Sequence, residues 1–168
     1  VTGSLSRVNL GLAFGSNTGT IGFAFQIIAA ETLAALSVGL ATFSTAAADH
    51  LTMQWDPDGS LAVYRNDSGT SVLLGQTAPG VISTDNWFYV EWQALIHASA
   101  GTVTVKVNGV AKLTLTGLDT VGATLATELR RISFTGGANT AYMIDDFYAL
   151  DSTTAVNNTF LGDTHVEY

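Results

Sequence analysis

The chain contains no cysteine. Disulfide staples, zinc–thiolate sites, iron–sulfur clusters and cysteine nucleophiles are therefore excluded. Charge is also scarce: Asp, Glu, Lys and Arg make up 12% of the 168 residues, about half the usual share of a globular domain. The surface must then be covered largely by Thr, Ser, Asn, Gln and Gly. Only 6 basic residues stand against 14 acidic ones, a formal net charge of −8. Such a surface repels phosphate, so neither nucleic acid nor an anionic membrane surface is expected as a partner. The apolar run from Ile21 to Leu40 is interrupted by Gln26, Glu31, Thr32 and Ser37 and lacks basic flanks, which argues against a membrane span. The chain opens on Val1 with no basic leader, as a processed protein or an excerpt of a longer one would.

What is present is strand signal. Runs rich in Val, Ile, Thr and aromatic residues are separated by Gly, Asn, Asp and Ser at regular spacing. The pattern predicts strands over Val8–Phe14, Ile21–Ile28, Leu33–Gly39, His50–Trp55, Leu61–Arg65, Val72–Gln76, Trp87–His97, Val103–Val107, Ala111–Thr116, Arg131–Phe134 and Tyr142–Leu150. Ala29–Leu36 is the weaker alternative, a short helix, since Ala, Glu and Leu favour one. No internal repeat or low-complexity linker divides the chain, so residues 1–168 read as a single domain, a size that can bury a core without disulfides.

Two hairpins can be read in detail. In the first, Leu51, Met53 and Trp55 alternate with Thr52 and Gln54, and Asp56-Pro57-Asp58-Gly59 follows. Pro57 presets φ and Gly59 accepts positive φ. A three-residue loop over 57–59 pairs Trp55 with Leu61 and Met53 with Val63, which puts the large apolar side chains on one face. The second hairpin holds Asn108-Gly109, a strong turn signal. A two-residue turn there, continued without interruption, pairs Val105 with Lys112 and mixes the faces, against the register rule. A three-residue loop over 107–109, with Gly109 in a bulge, instead pairs Val105 with Ala111 and Val103 with Leu113.

The strand after Asn86 sorts cleanly. Phe88, Val90, Trp92, Ala94 and Ile96 share one face and should be core; Trp87, Tyr89, Glu91, Gln93, Leu95 and His97 share the other. Amphipathic antiparallel strands of this kind pack face to face. The predicted fold is all-β, a two-sheet antiparallel jelly-roll sandwich.

Candidate chemistry is thin. His50, His97 and His165 are scattered without ligand spacing. Asp145 and Asp146 are neighbours on a strand and should point to opposite faces, so they form no catalytic pair. One of them could bond the amides of a crossing loop, or both could join Asp151 in a calcium site at the sandwich rim. No nucleophile elbow is present, and Gly136-Gly137 is followed by neither helix nor Lys. Neither a metal nor a cofactor is expected. Trp87 and Tyr89, on the non-core face of their strand, could stack on sugar rings; alternatively a loop or a second subunit covers them.

The order of features resembles a known family. It begins with Ile21-Gly22-Phe23-Ala24-Phe25 and the Trp55-Asp56-Pro57-Asp58-Gly59 hairpin. It continues with Trp87-Phe88-Tyr89-Val90-Glu91-Trp92, Gly101–Gly109 and Ile144-Asp145-Asp146-Phe147-Tyr148. This resembles the concanavalin A-like lectin/glucanase superfamily, in particular its laminin-G-like branch. Asp145–Asp151, Asn157–Asp163 and Val166-Glu167 look like the tail of laminin-G-like structural proteins of bacteriophage particles. The Glu-x-Asp-x-x-Glu strand of the related glucanases has no counterpart, so no catalytic residue and no enzyme are implied. The resemblance implies a structural component of a virion, either a head decoration or a tail or fibre module, in contact with other capsid or tail proteins. The alternative is a lectin-like module, secreted or at a cell surface, that recognises a bacterial or host polysaccharide.

Sparse charge and the apolar Trp87, Tyr89 and Leu95 suit protein–protein contact. Noncovalent anchoring favours a closed homo-oligomer, a trimer before a dimer. Sedimentation at micromolar concentration checks this expectation: a 17.5 kDa species would rule it out.

Overall fold

The computed structural model describes residues 6–11, 16–28, 38–45, 48–122, 128–136, 142–153, 156–157 and 159–162. Among these, apolar alternation produces eleven strands and no helix: β1 (Ser6–Gly11), β2 (Thr18–Ile27), β3 (Val38–Ser44), β4 (Asp49–Trp55), β5 (Leu61–Asp67), β6 (Thr70–Gln76), β7 (Phe88–Leu95), β8 (Gly101–Val107), β9 (Val110–Leu118), β10 (Arg131–Gly136) and β11 (Tyr142–Asp151). They form a six-stranded sheet ordered β1-β10-β3-β4-β5-β6 and a five-stranded sheet ordered β11-β2-β7-β8-β9. Every neighbouring pair is antiparallel. The expected two-sheet sandwich is what the chain adopts.

The core fills the space between the sheets. Ile21, Phe23, Phe25 and Ile27 of β2 and Val90, Trp92 and Ala94 of β7 are fully buried, opposite Phe43, Leu51, Met53, Leu61 and Val63. Aromatic pairs bridge the sheets: Phe43 to Trp92 at 4.4 Å between ring centroids, and Phe23 to Phe134 at 5.4 Å, edge to face. The apolar residues from Ile21 to Ile27 are thus the inward row of a strand. No described helix is long and apolar enough to cross a membrane.

The first hairpin folds as its sequence requires. Trp55 pairs with Leu61 and Met53 with Val63, the Gly59 amide donates to the Asp56 carbonyl at 2.8 Å, and Gly59 takes φ +83°. The second does not follow the expected loop. Val107 pairs with Val110 around a two-residue turn, in which Asn108 (φ 49°) and Gly109 (φ 77°) are both left-handed. The register conflict is resolved one step later. Lys106 faces Ala111 while Val105 faces Leu113, so Lys112 is an extra, bulged residue. The expected pairs Val105–Ala111 and Val103–Leu113 are replaced by Val105–Leu113 and Val103–Leu115. The turn obeys its local Asn-Gly chemistry and the bulge restores the apolar face.

The third strand was expected over Leu33–Gly39 but runs from Val38 to Ser44. Gly39 does not end it; the register shifts between Gly39 and Ala41, leaving Leu40 bulged. Leu40, Ala41 and Phe43 are buried. A glycine that reads as a strand end here marks a bulge. The alternative helix over 29–36 lies outside the described residues, as do residues 12–14 of the expected first strand.

The loop after β9 is threaded tightly under the end of the six-stranded sheet. A Cβ on Gly122 would stand 2.5 Å from the Asp49 carbonyl oxygen and 2.7 Å from that of Asn66. Both obstacles are backbone, which relaxes poorly. Gly122→Ala should cost about 2–4 kcal/mol, while Gly11→Ala, with open space around it, should stay within about 0.5 kcal/mol of the parent. Urea midpoints of the two variants check this.

Candidate functional site

The pleat that buries one row of β2 and β7 turns the other row out onto the far face of the five-stranded sheet. Along β2 that outward row carries the small residues Gly22 and Ala24. Ala24 pairs with Tyr89 of β7 on one side and with Asp145 of β11 on the other. A short side chain between two longer ones leaves a trough. It is a groove of about 320 Å³ lined by Ala24, Trp87, Phe88, Tyr89, Asn108, Asp145 and Asp146.

Both aromatic candidates line it, but they differ in exposure. Trp87 precedes β7 and is 48% exposed, whereas Tyr89 is only 5% exposed. Contacts within the chain hold Tyr89: its hydroxyl donates to the Asp146 carbonyl at 3.3 Å. Its backbone amide donates to Asn108 Oδ1 at 2.8 Å, and its carbonyl accepts the Asn108 amide at 2.8 Å. The expectation that Tyr89 presents open apolar surface is therefore corrected. It forms a rigid wall, and Trp87 is the accessible ring.

The carboxylates also depart from expectation. Asp145 pairs with Ala24, the next paired residue is Tyr148 with Gly22, and the register shifts between them. Asp146 sits at φ 49°, and its amide donates to Asp145 Oδ1 at 2.9 Å. The bulge breaks the strict alternation from which opposite faces were expected, and both residues line the groove. Asp151 pairs with Gly19 at the other end of β11, six residues on and roughly 20 Å away at strand rise. It cannot share an ion with them. Its Oδ1 accepts the Thr153 amide and hydroxyl. Among the described residues no three His, Asp or Glu gather as metal ligands. His50 is buried with Nδ1 accepting the Gly122 amide, His97 Nδ1 accepts the Ser99 and Ala100 amides, and His165 lies outside the described residues.

Beside the groove the face is closed by a strap. The Tyr148 ring lies over Gly22, where a Cβ would come within 2.2 Å of it. The Tyr148 hydroxyl donates to Glu91 Oε1 at 2.7 Å, and the Gly162 amide donates to the same oxygen at 2.8 Å. The Leu161 amide donates to the Tyr148 hydroxyl at 3.1 Å, and Lys106 Nζ stands 3.9 Å from the Phe160 ring centroid. Glu91 is left 1% exposed, committed to holding the strap. Sequence reasoning missed this use of Glu91. It also missed Ala24 and Asn108, whose only signals are a small residue on an outward row and a turn tip facing β7.

No family model matches the chain, and no curated protein matches it in sequence. Solved structures do resemble it. An endo-β-1,4-glucuronan lyase from the fungus Trichoderma reesei superposes with TM-score 0.63 at 14% identity, covering 86% of this chain and 73% of that one. A Caenorhabditis elegans galectin gives 0.62 at 13%, covering 89% and 94%. An alginate lyase gives 0.59 at 12%, covering 88% and 76%. At these identities the likeness lies in the fold alone. It is a two-sheet jelly-roll sandwich, a frame shared here by a galectin and by lyases, so the fold does not fix the function.

Burial raises the Tyr148 phenol above its ordinary value of 10.0; the Leu161 amide lowers it, and the Glu91 bond and charge raise it further. Tyr142 is pushed up to about 12 by burial. Both stay neutral in the folded protein while the unfolded phenols ionise near 10. Their stability contribution is therefore complete below pH 10 and is lost as pH climbs from about 10 to 12 and beyond. Tyr148→Phe should cost about 1–3 kcal/mol at neutral pH, because a buried carboxylate loses a donor. It should also flatten the alkaline loss, both read from urea midpoints across pH.

Proposed function

We propose that this domain is a non-catalytic glycan-binding module whose site is the groove floored by Ala24. One observation carries the reading: a half-exposed indole, Trp87, lines a preformed recess together with Asp145 and Asp146. A flat apolar ring suits the face of a pyranose, and ionised carboxylates accept hydroxyl donors in short, strong hydrogen bonds. Asn108 and Tyr89 fix the recess through backbone bonds, so little ordering is needed on binding. Similarity to galectins and to carbohydrate-acting lyases supports the class of ligand. Such a module acts at a cell surface, in secretions or as the recognition part of a larger particle.

A second reading, a structural component of a bacteriophage virion that contacts capsid or tail proteins as a homo-oligomer, rests on the likeness of the C-terminal residues. Leu161 and Gly162 belong to the strap, so part of that likeness reflects how the sheet face is closed.

Two substitutions test the groove. Trp87→Ala should weaken glycan binding at least about tenfold, equivalent to about 1.4 kcal/mol. Ala24→Leu should fill the recess and abolish binding while shifting stability by no more than about 0.5 kcal/mol. Calorimetric titration of the parent and both variants against an oligosaccharide panel decides; binding that survives Ala24→Leu would place the ligand elsewhere.

A further inference from the structure

The groove has a sign as well as a shape. The β11 bulge turns Asp145 and Asp146 into the same recess as the Trp87 ring, and none of its described lining residues is basic. The basic side chain beside it, Lys106 on β8, stands over the Phe160 ring of the strap. The whole chain carries a formal charge of −8, so the surrounding field does not offset the local one. An ionised sugar acid would bring a third negative charge to two carboxylates. A protonated amine would meet both carboxylates and could share the indole face through cation–π attraction.

We infer that this groove takes an amine-bearing saccharide, a glucosamine-type unit with its ammonium between Asp145 and Asp146 and its ring face on Trp87, and that it rejects uronate polymers. The inference rests on the glycan-binding reading and narrows it to one ligand class. The carboxylates give the discrimination; Trp87 gives affinity common to all pyranoses.

The test compares three oligosaccharides of equal length: glucosamine, N-acetylglucosamine and uronate. It is run at about pH 6, where carboxylates are ionised and amines protonated. Trp87 fluorescence and calorimetry report binding at low salt and at about 0.5 M salt, where charge attraction is screened. The glucosamine oligomer should bind at least about tenfold tighter than its N-acetylated counterpart at low salt, with the gap shrinking at high salt. Uronate should not compete.

Asp145→Asn with Asp146→Asn keeps the side-chain shapes, and Asn tolerates the left-handed backbone at 146. This variant should bind both amino-sugar oligomers alike. A preference for glucosamine that persists in it would mean diffuse attraction to an acidic protein and would overturn the inference. Equal binding of the two oligomers by the parent, or tighter binding of uronate, would overturn it while leaving the glycan-binding reading standing. Binding of none of the three, nor of any neutral panel member, would overturn both.

Discussion

The pleat phase of β2 and β7 is the constraint on which the molecule depends. These paired strands lie inside the five-stranded sheet, flanked by β11 and β8, and bury Ile21, Phe23, Phe25, Val90, Trp92 and Ala94 against the other sheet. Each fully buried aromatic or aliphatic side chain contributes about 1.5–3 kcal/mol relative to exposure, and a slip by one residue would exchange the whole set for Gly22, Ala24, Tyr89 and Glu91. With the phase locked, those four must occupy the outer face. The groove floor, its Tyr89 wall and the Glu91 anchor of the strap are thus consequences of core burial. They need no separate folding instruction.

Where the phase breaks, the face acquires chemistry. A strict alternation along β11 would put Tyr142, Ile144, Asp146, Tyr148 and Leu150 on one side and Met143, Asp145, Phe147, Ala149 and Asp151 on the other, with a carboxylate among apolar neighbours on each. Inserting one residue after Asp145 relieves this. Ile144, Phe147 and Ala149 then lean toward the core, Phe147 meeting Phe134 at 5.5 Å, while Asp145 and Tyr148 turn outward. The bulge that satisfies burial also sets Asp145 and Asp146 side by side along one recess. Bulges at Leu40 and Lys112 use the same device for burial alone.

The core rows of β4, β5 and β7 were legible in the sequence because period-two alternation is local. The Asp56–Gly59 turn was legible because Pro and Gly dictate its backbone. Bulges were not, since each depends on which partner residue a side chain meets. The mixed faces around Lys112 and Asp145 showed a conflict without locating its remedy. Trp87 and Tyr89 could be named as a pair from alternation. Only the tertiary fold separates a buried Tyr89, tied to Asn108 and Asp146, from an accessible Trp87. Ala24 carried only the weak signal of a small residue on an outward row, because such a residue matters by what its neighbours leave empty.

The strap explains why a likeness can be accurate about architecture and silent about ligand. A sheet face with so few charged side chains must be covered or specialised. Here Tyr148, Leu161 and Gly162 cover part of it by closing on one buried carboxylate. Glu91 is tolerable there because Tyr148 and Gly162 both donate to it; a buried carboxylate without donors would be strongly unfavourable. Pro57, Gly59, Asn108, Gly109, Tyr148 and Gly162 are thus bound to turns and closure, and any chain folded this way has reason to keep them. Asp145 and Asp146 shape the β11 bulge through the bond from the Asp146 amide to Asp145 Oδ1, whereas the half-exposed Trp87 belongs to no turn or closure. All three line the part of the face that the strap leaves open, which is where the proposed ligand would meet the indole.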